Sequence, residues 1–207
     1  MKKLTNKQKP LPTNTDEVQL SSSVTVAIYR EMESHEDREG IAGFVHQRFL
    51  ERYLLPVKGD KRDSYAPTEG KSGFAMMAIG CLMIEALESF NQGWSNTRNK
   101  KGKDIFNSFF AHYPEFAPLQ GFGEPFYTNI RCGILHQAET TDGWLIRRDQ
   151  PIMVDTNTKI IDATIFLSNL EACLNQYCDE LMNKDWDDYT WVSFRMKMNA
   201  VIRNCRR

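Results

Sequence analysis

The sequence predicts a mainly α-helical bundle of about five helices, interrupted once by a short β-hairpin. Three observations carry that reading. Apolar residues recur at three- and four-residue steps through most of the chain, the spacing of one helix face. The run from Phe74 to about Phe90 is apolar over most of its circumference, as a helix central to a bundle is. Only residues 144–154 hold paired short apolar runs of strand length, Trp144–Ile146 and Ile152–Val154.

Taken in order, residues 1–20 (MKKLTNKQKPLPTNTDEVQL) start with lysines but lack an apolar stretch behind them, so they read as a disordered arm rather than a signal peptide. Residues 21–207 are expected to form a single helical domain. Val24–Met32 is ambiguous between a short strand and a helix start. A helix follows from Ile41, with Phe44, Val45, Phe49 and Tyr53 or Leu54 on one stripe, and Pro56 closes it. Residues 58–73 (KGDKRDSYAPTEGKSG) form a polar loop. The Phe74 helix is interrupted by Gly80 and Glu85, so no membrane span is expected.

After the basic connection 95–103, Asp104 to about His112 forms a short helix around Ile105, Phe106, Phe109 and Phe110. Pro125 occupies a helix start, where its missing N–H is not needed. The hairpin follows, and Asp162 caps a long helix with a stripe through Ile165, Phe166, Leu170, Cys173, Leu174, Tyr177 and Leu181. A final helical stretch runs over Trp186–Ile202.

Bulk composition narrows the function classes. The chain has 207 residues, 41% hydrophobic and 26% charged, with a formal net charge of −1. No whole-molecule field advertises nucleic acid, so any such binding must come from a local patch. The cysteines (Cys81, Cys132, Cys173, Cys178, Cys205) are odd in number and scattered, with no C-x-x-C. They read as reduced thiols of a cytoplasmic protein. His46 with Glu51, and His35 with Glu36 and Asp37, lack the spacing and third ligand of a metal site, so no metal and no cofactor are expected. Neither a phosphate-binding glycine loop nor a nucleophile elbow is present.

The stretch 126–139, FYTNIRCGILHQAE, carries the chemistry. Arg131 and His136 are five positions apart, about 140° around an α-helix, so they do not share one face of a straight α-helix. Asn129, Cys132 and His136 fall at three- and four-residue steps on one face, and Tyr127, Ile130 and Ile134 form the adjoining packing stripe. One reading is plain packing, with the histidine and arginine in ordinary polar contacts. The other is chemical: an arginine fork matches phosphate oxygens, and a histidine exchanges a proton near neutral pH. Together they suit metal-free RNA cleavage, in which the ribose 2′-hydroxyl attacks the adjacent phosphorus and leaves a 2′,3′-cyclic phosphate.

The stretch Asn129–His136, NIRCGILH, resembles the R-x4–6-H motif of the HEPN superfamily. The resemblance implies an HEPN-like helical bundle and a homodimer whose two motifs meet at the interface. It identifies Arg131 and His136 as catalytic residues, and the spacing above sets Asn129 and Cys132 beside them as binding residues. It further implies a metal-independent endoribonuclease of toxin–antitoxin or phage-defence type, with RNA and an antitoxin protein as partners. Where active members often carry a polar residue after the arginine, this chain has Cys132. The alternative is a catalytically inactive HEPN-like module that binds protein or nucleic acid.

Overall fold

A computed structural model describes residues 14–57, 72–97 and 102–205. Outside them lie residues 1–13 of the expected arm, nearly all of the polar loop 58–73, and part of the basic connection 95–103. The chain is mainly α-helical with one small sheet, as the periodicity predicts.

Residues 14–20 of the expected arm are tied down. Leu20 is buried, and its N–H donates to the Val24 carbonyl. The ambiguous stretch that follows is helix α1 (Val26–Ser34), because the Thr25 side chain accepts from the Ile28 N–H and caps it against the strand preference of its valines. Asp37 caps α2 (Arg38–Phe49) in the same way, and that helix runs on through one π turn, Leu50–Leu54, to end at a 3-10 turn containing Pro56.

Helix α3 (Gly73–Asn91) is the hub. It packs on α4 (Gly102–His112), α6 (Ala163–Asn183) and α7 (Tyr189–Asn204), while α2 packs on α6. By length and composition α3 could cross a bilayer, but more than half of it lies inside the protein. Gly80 permits a close approach to α6: a Cβ there would sit 3.0 Å from the Phe166 ring. An aromatic cluster of Phe106, Phe109, Phe110, Phe116, Phe126 and Phe166 joins α4, the start of the helix that carries Arg131 and His136, and α6, and each of these rings is buried. Burial of one such side chain contributes roughly 1.5–3 kcal/mol.

The expected hairpin takes a different form. Strands β1 (Leu145–Arg147) and β2 (Val154–Asp155) lie where the two apolar runs predict them, but they do not pair with each other. A third strand, β3 (Ile160–Asp162), runs between them, parallel to β1 and antiparallel to β2. It takes the centre because Ile161 is fully buried and because Asp162 organises both flanks. The Asp162 carboxylate accepts from the Gln150 N–H (2.9 Å) and from the N–H groups of Thr164 and Ile165 (2.9 Å each), so it fastens the β1–β2 connection and caps α6 as predicted.

Candidate functional site

The site lies on the helix that begins as α5 (Gly123–Phe126) and continues as a π-helix over Tyr127–Gln137. In a π-helix the hydrogen bond reaches from residue i+5 back to residue i, so residues five apart stack one turn above each other. Phe126, Ile130 and Ile134 are buried at four-residue steps and form the side of this helix that packs inward.

This winding corrects the expectation that Arg131 and His136 point apart. Their side chains meet, Nη1 of Arg131 lying 3.4 Å from Nε2 of His136. A guanidinium only donates, so a hydrogen bond across this contact has Nε2 as its acceptor. Tyr127 and Cys132 are also five apart, and the Cys132 thiol beside it, with partial burial, holds the Tyr127 hydroxyl above its usual pKa. The Arg131 guanidinium lies 5.5 Å from the centre of the Tyr127 ring, within cation–π range.

Glu85 of α3 completes the arrangement. Its Oε1 accepts from Nε of Arg131 at 2.8 Å, with the two side chains 17% and 19% exposed. Burial alone works against the charge on Arg131, but the Glu85 hydrogen bond and charge more than offset it and hold the guanidinium above its ordinary value. His136 is exposed, so the pair is open to a ligand from outside.

The expected binding residues divide. Cys132 stays in the cluster, beside Arg131 and Tyr127. Asn129 does not join it: its Oδ1 accepts from the Thr141 hydroxyl (2.8 Å) and its carbonyl from the Thr141 N–H (3.0 Å), pinning the segment that returns from the helix. Gly133 serves the same packing, since a Cβ there would lie 2.5 Å from the Glu139 carbonyl oxygen. Ala138, with φ of 58°, closes the helix in the left-handed region and turns the chain back.

Sequence reasoning missed Glu85 and Tyr127 as members of the site. The signal for Glu85 was available: an acid in a largely apolar helix calls for a partner where it is buried. His46 meets Asn175 (3.1 Å) and Glu51 meets Ser22 (2.9 Å to its N–H), so those two residues serve separate contacts. Among the described residues, no group of three or more His, Cys, Asp or Glu side chains is placed to hold a metal ion, and the described cysteines are unpaired thiols. The chain matches no protein-family model, no curated protein and no solved structure.

Proposed function

We propose that the chain is an HEPN-like, metal-independent endoribonuclease in which Arg131 binds the scissile phosphate and His136 exchanges the proton. The observation that supports this most directly is the 3.4 Å contact between the two side chains on the open side of the π-helix. A phosphate oxygen taking the Nη1 donor would release the Nε2 lone pair right beside the reacting group. The 2′-hydroxyl then attacks the phosphorus, its proton passes to Nε2, and the bond from phosphorus to the 5′ oxygen breaks. The 5′ oxygen leaves as a hydroxyl after taking a proton from an imidazolium, supplied by the His136 of a second copy in a homodimer. The products are a 2′,3′-cyclic phosphate and a free 5′-hydroxyl, with Arg131 stabilising the charge that grows on the phosphoryl oxygens. The setting proposed for this activity is a cytoplasmic toxin–antitoxin or phage-defence system, with an antitoxin protein as the restraining partner.

One observation favours a catalytically silent module that binds protein or nucleic acid. Glu85, at 2.8 Å, already neutralises Arg131 and opposes an incoming phosphate. The two readings separate in one assay: mixed RNA and a DNA of matched sequence, incubated in EDTA with wild type, Arg131→Ala and His136→Ala. Cleavage of RNA alone, ending in a cyclic phosphate and lowered about 10²–10⁴-fold in His136→Ala, supports the nuclease. No cleavage by wild type, or equal cleavage by all three, refutes it.

A further inference from the structure

A cavity of about 160 Å³ opens between the end of α2 with its π turn, the C-terminal end of α3, and α7, lined by Arg48, Arg52, Tyr53, Ser89, Phe90 and Lys197. At roughly 30 Å³ per water molecule, that is room for a tetrahedral oxyanion and part of its hydration shell. Three cations converge on it. Arg48 is 8% exposed, and none of the three forms an ion pair among the described residues. Arg48 and Arg52 both donate to a single acceptor, the Leu20 carbonyl, the latter at 3.4 Å. Each guanidinium carries five N–H donors, so most are left for another acceptor.

Nearby carboxylates are occupied elsewhere. Glu51 feels the Arg52 charge but accepts from the Ser22 N–H and hydroxyl, and Glu85 holds Arg131. The crowding is reflected in the charged groups themselves. Burial, then the charge of Arg52, brings the Arg48 guanidinium down to about 10, and burial, then Arg48, lowers the Lys197 ammonium. Cations placed together without a counter-charge cost stability. A fold keeps them most readily where a ligand supplies the missing charge.

We propose that this cavity is a binding site for a phosphate group, taken by the forks of Arg48 and Arg52 and by the Lys197 ammonium. The planar forks offer paired donors to phosphate oxygens. The phosphate comes either from the free ion or from a nucleic-acid strand. An open cleft lined by Leu82, Glu85, Ser89, Asn96 and Lys197 lies next to it along α3, the two sharing Ala86, Ser89 and Lys197 in their walls. Glu85, the partner of Arg131, is one helical turn from Ser89, roughly 6 Å along the axis. A strand with one phosphate in the cavity is therefore led toward Arg131, an extension that rests on the ribonuclease reading above.

The test uses the full chain carrying His136→Ala, so cleavage plays no part. Thermal unfolding is followed in sodium phosphate and in sodium chloride of equal ionic strength, with added Arg52→Gln, Lys197→Gln, both together, and Arg147→Gln as a control elsewhere. Phosphate at tenfold excess over its Kd raises the midpoint by roughly 3–6 °C. The rise is cut in each single variant, abolished in the double variant and kept in Arg147→Gln. In chloride, removing either cation leaves the midpoint equal or higher, because repulsion is relieved, which separates the result from misfolding. No phosphate response, or an equal response in the double variant, overturns the site. A short DNA oligonucleotide, which lacks the 2′-hydroxyl, is then added as competitor. Competition assigns the site to a strand phosphate; a phosphate response without competition assigns it to the free ion and overturns the extension toward Arg131.

Discussion

The contact between Glu85 and Arg131 is open to a double-mutant cycle of Glu85→Ala and Arg131→Ala. The pair is neither a surface ion pair nor a fully buried one, its side chains being 17% and 19% exposed with 2.8 Å between Oε1 and Nε. Exposed pairs couple by about 0.2–1 kcal/mol, and breaking a buried pair costs about 3–5 kcal/mol. A half-buried, hydrogen-bonded pair belongs between them, so each single variant is expected to lose about 2 kcal/mol. The double variant should lose less than the sum by about 1–2 kcal/mol. Arg131→Ala also forfeits the cation–π contact with Tyr127, worth about 0.5–1 kcal/mol, which the cycle removes because it is common to both arms. For a chain of this size 1 kcal/mol corresponds to roughly 2–4 °C, so each single variant melts roughly 4–8 °C lower. Urea unfolding at low and at high salt measures the coupling, and most of it should survive salt because the pair is shielded from screening. A coupling within about 0.3 kcal/mol of zero would show that Glu85 does not hold Arg131, and the positioning of the site would fail with it.

Two further outcomes bear on the same helix and on the core. Gly133→Ala places a methyl group against the Glu139 carbonyl, which cannot rotate away, so a loss of about 1–3 kcal/mol is expected. Faster hydrogen exchange at the Thr141 amide would accompany it, and an unchanged melting point would refute the packing. Glu88 is fully buried in α3, and burial holds its carboxyl above the ordinary value although Ser108, Asn91 and Gln92 donate to it. A raised folded pKa means the folded state binds that proton more tightly. The Glu88 contribution is therefore whole at low pH and falls away as pH climbs above about 4.5, the ordinary value, toward the raised one. Glu88→Gln should equal or exceed wild type in stability at pH 7, with the difference closing or reversing near pH 4. A gap that widens on acidification would be fatal to this account.

The helices were legible in the chain because long stripes outweigh local noise, and the Asp162 cap because its side chain acts on its own neighbours. The third strand was not. Ile160–Asp162 is three residues long, and its place between β1 and β2 is set by the burial of Ile161 and by the reach of Asp162 back to Gln150. The site was half legible. Arg131, Cys132 and His136 stood out by residue type, but their meeting depends on a winding that an assumed period of 3.6 conceals. Glu85 lies 46 positions from Arg131 in sequence, and only the packing of α3 on the π-helix joins them. Asn129 looked like a ligand because the same periodicity placed it near His136, whereas the returning Thr141 claims it.

The π-helix makes the distance between Arg131 and His136 a matter of phase rather than of side-chain identity. An α-helix reaches the next turn in 3.6 residues, so the five-residue interval lines up only while the wider winding persists. Removing one residue between Tyr127 and Gln137 would let the ordinary winding return, and everything beyond the deletion would be re-clocked relative to Arg131. Both side chains would remain in the chain, chemically intact and out of step. The site is in that sense encoded in a count, and a change of length by one is its most economical switch.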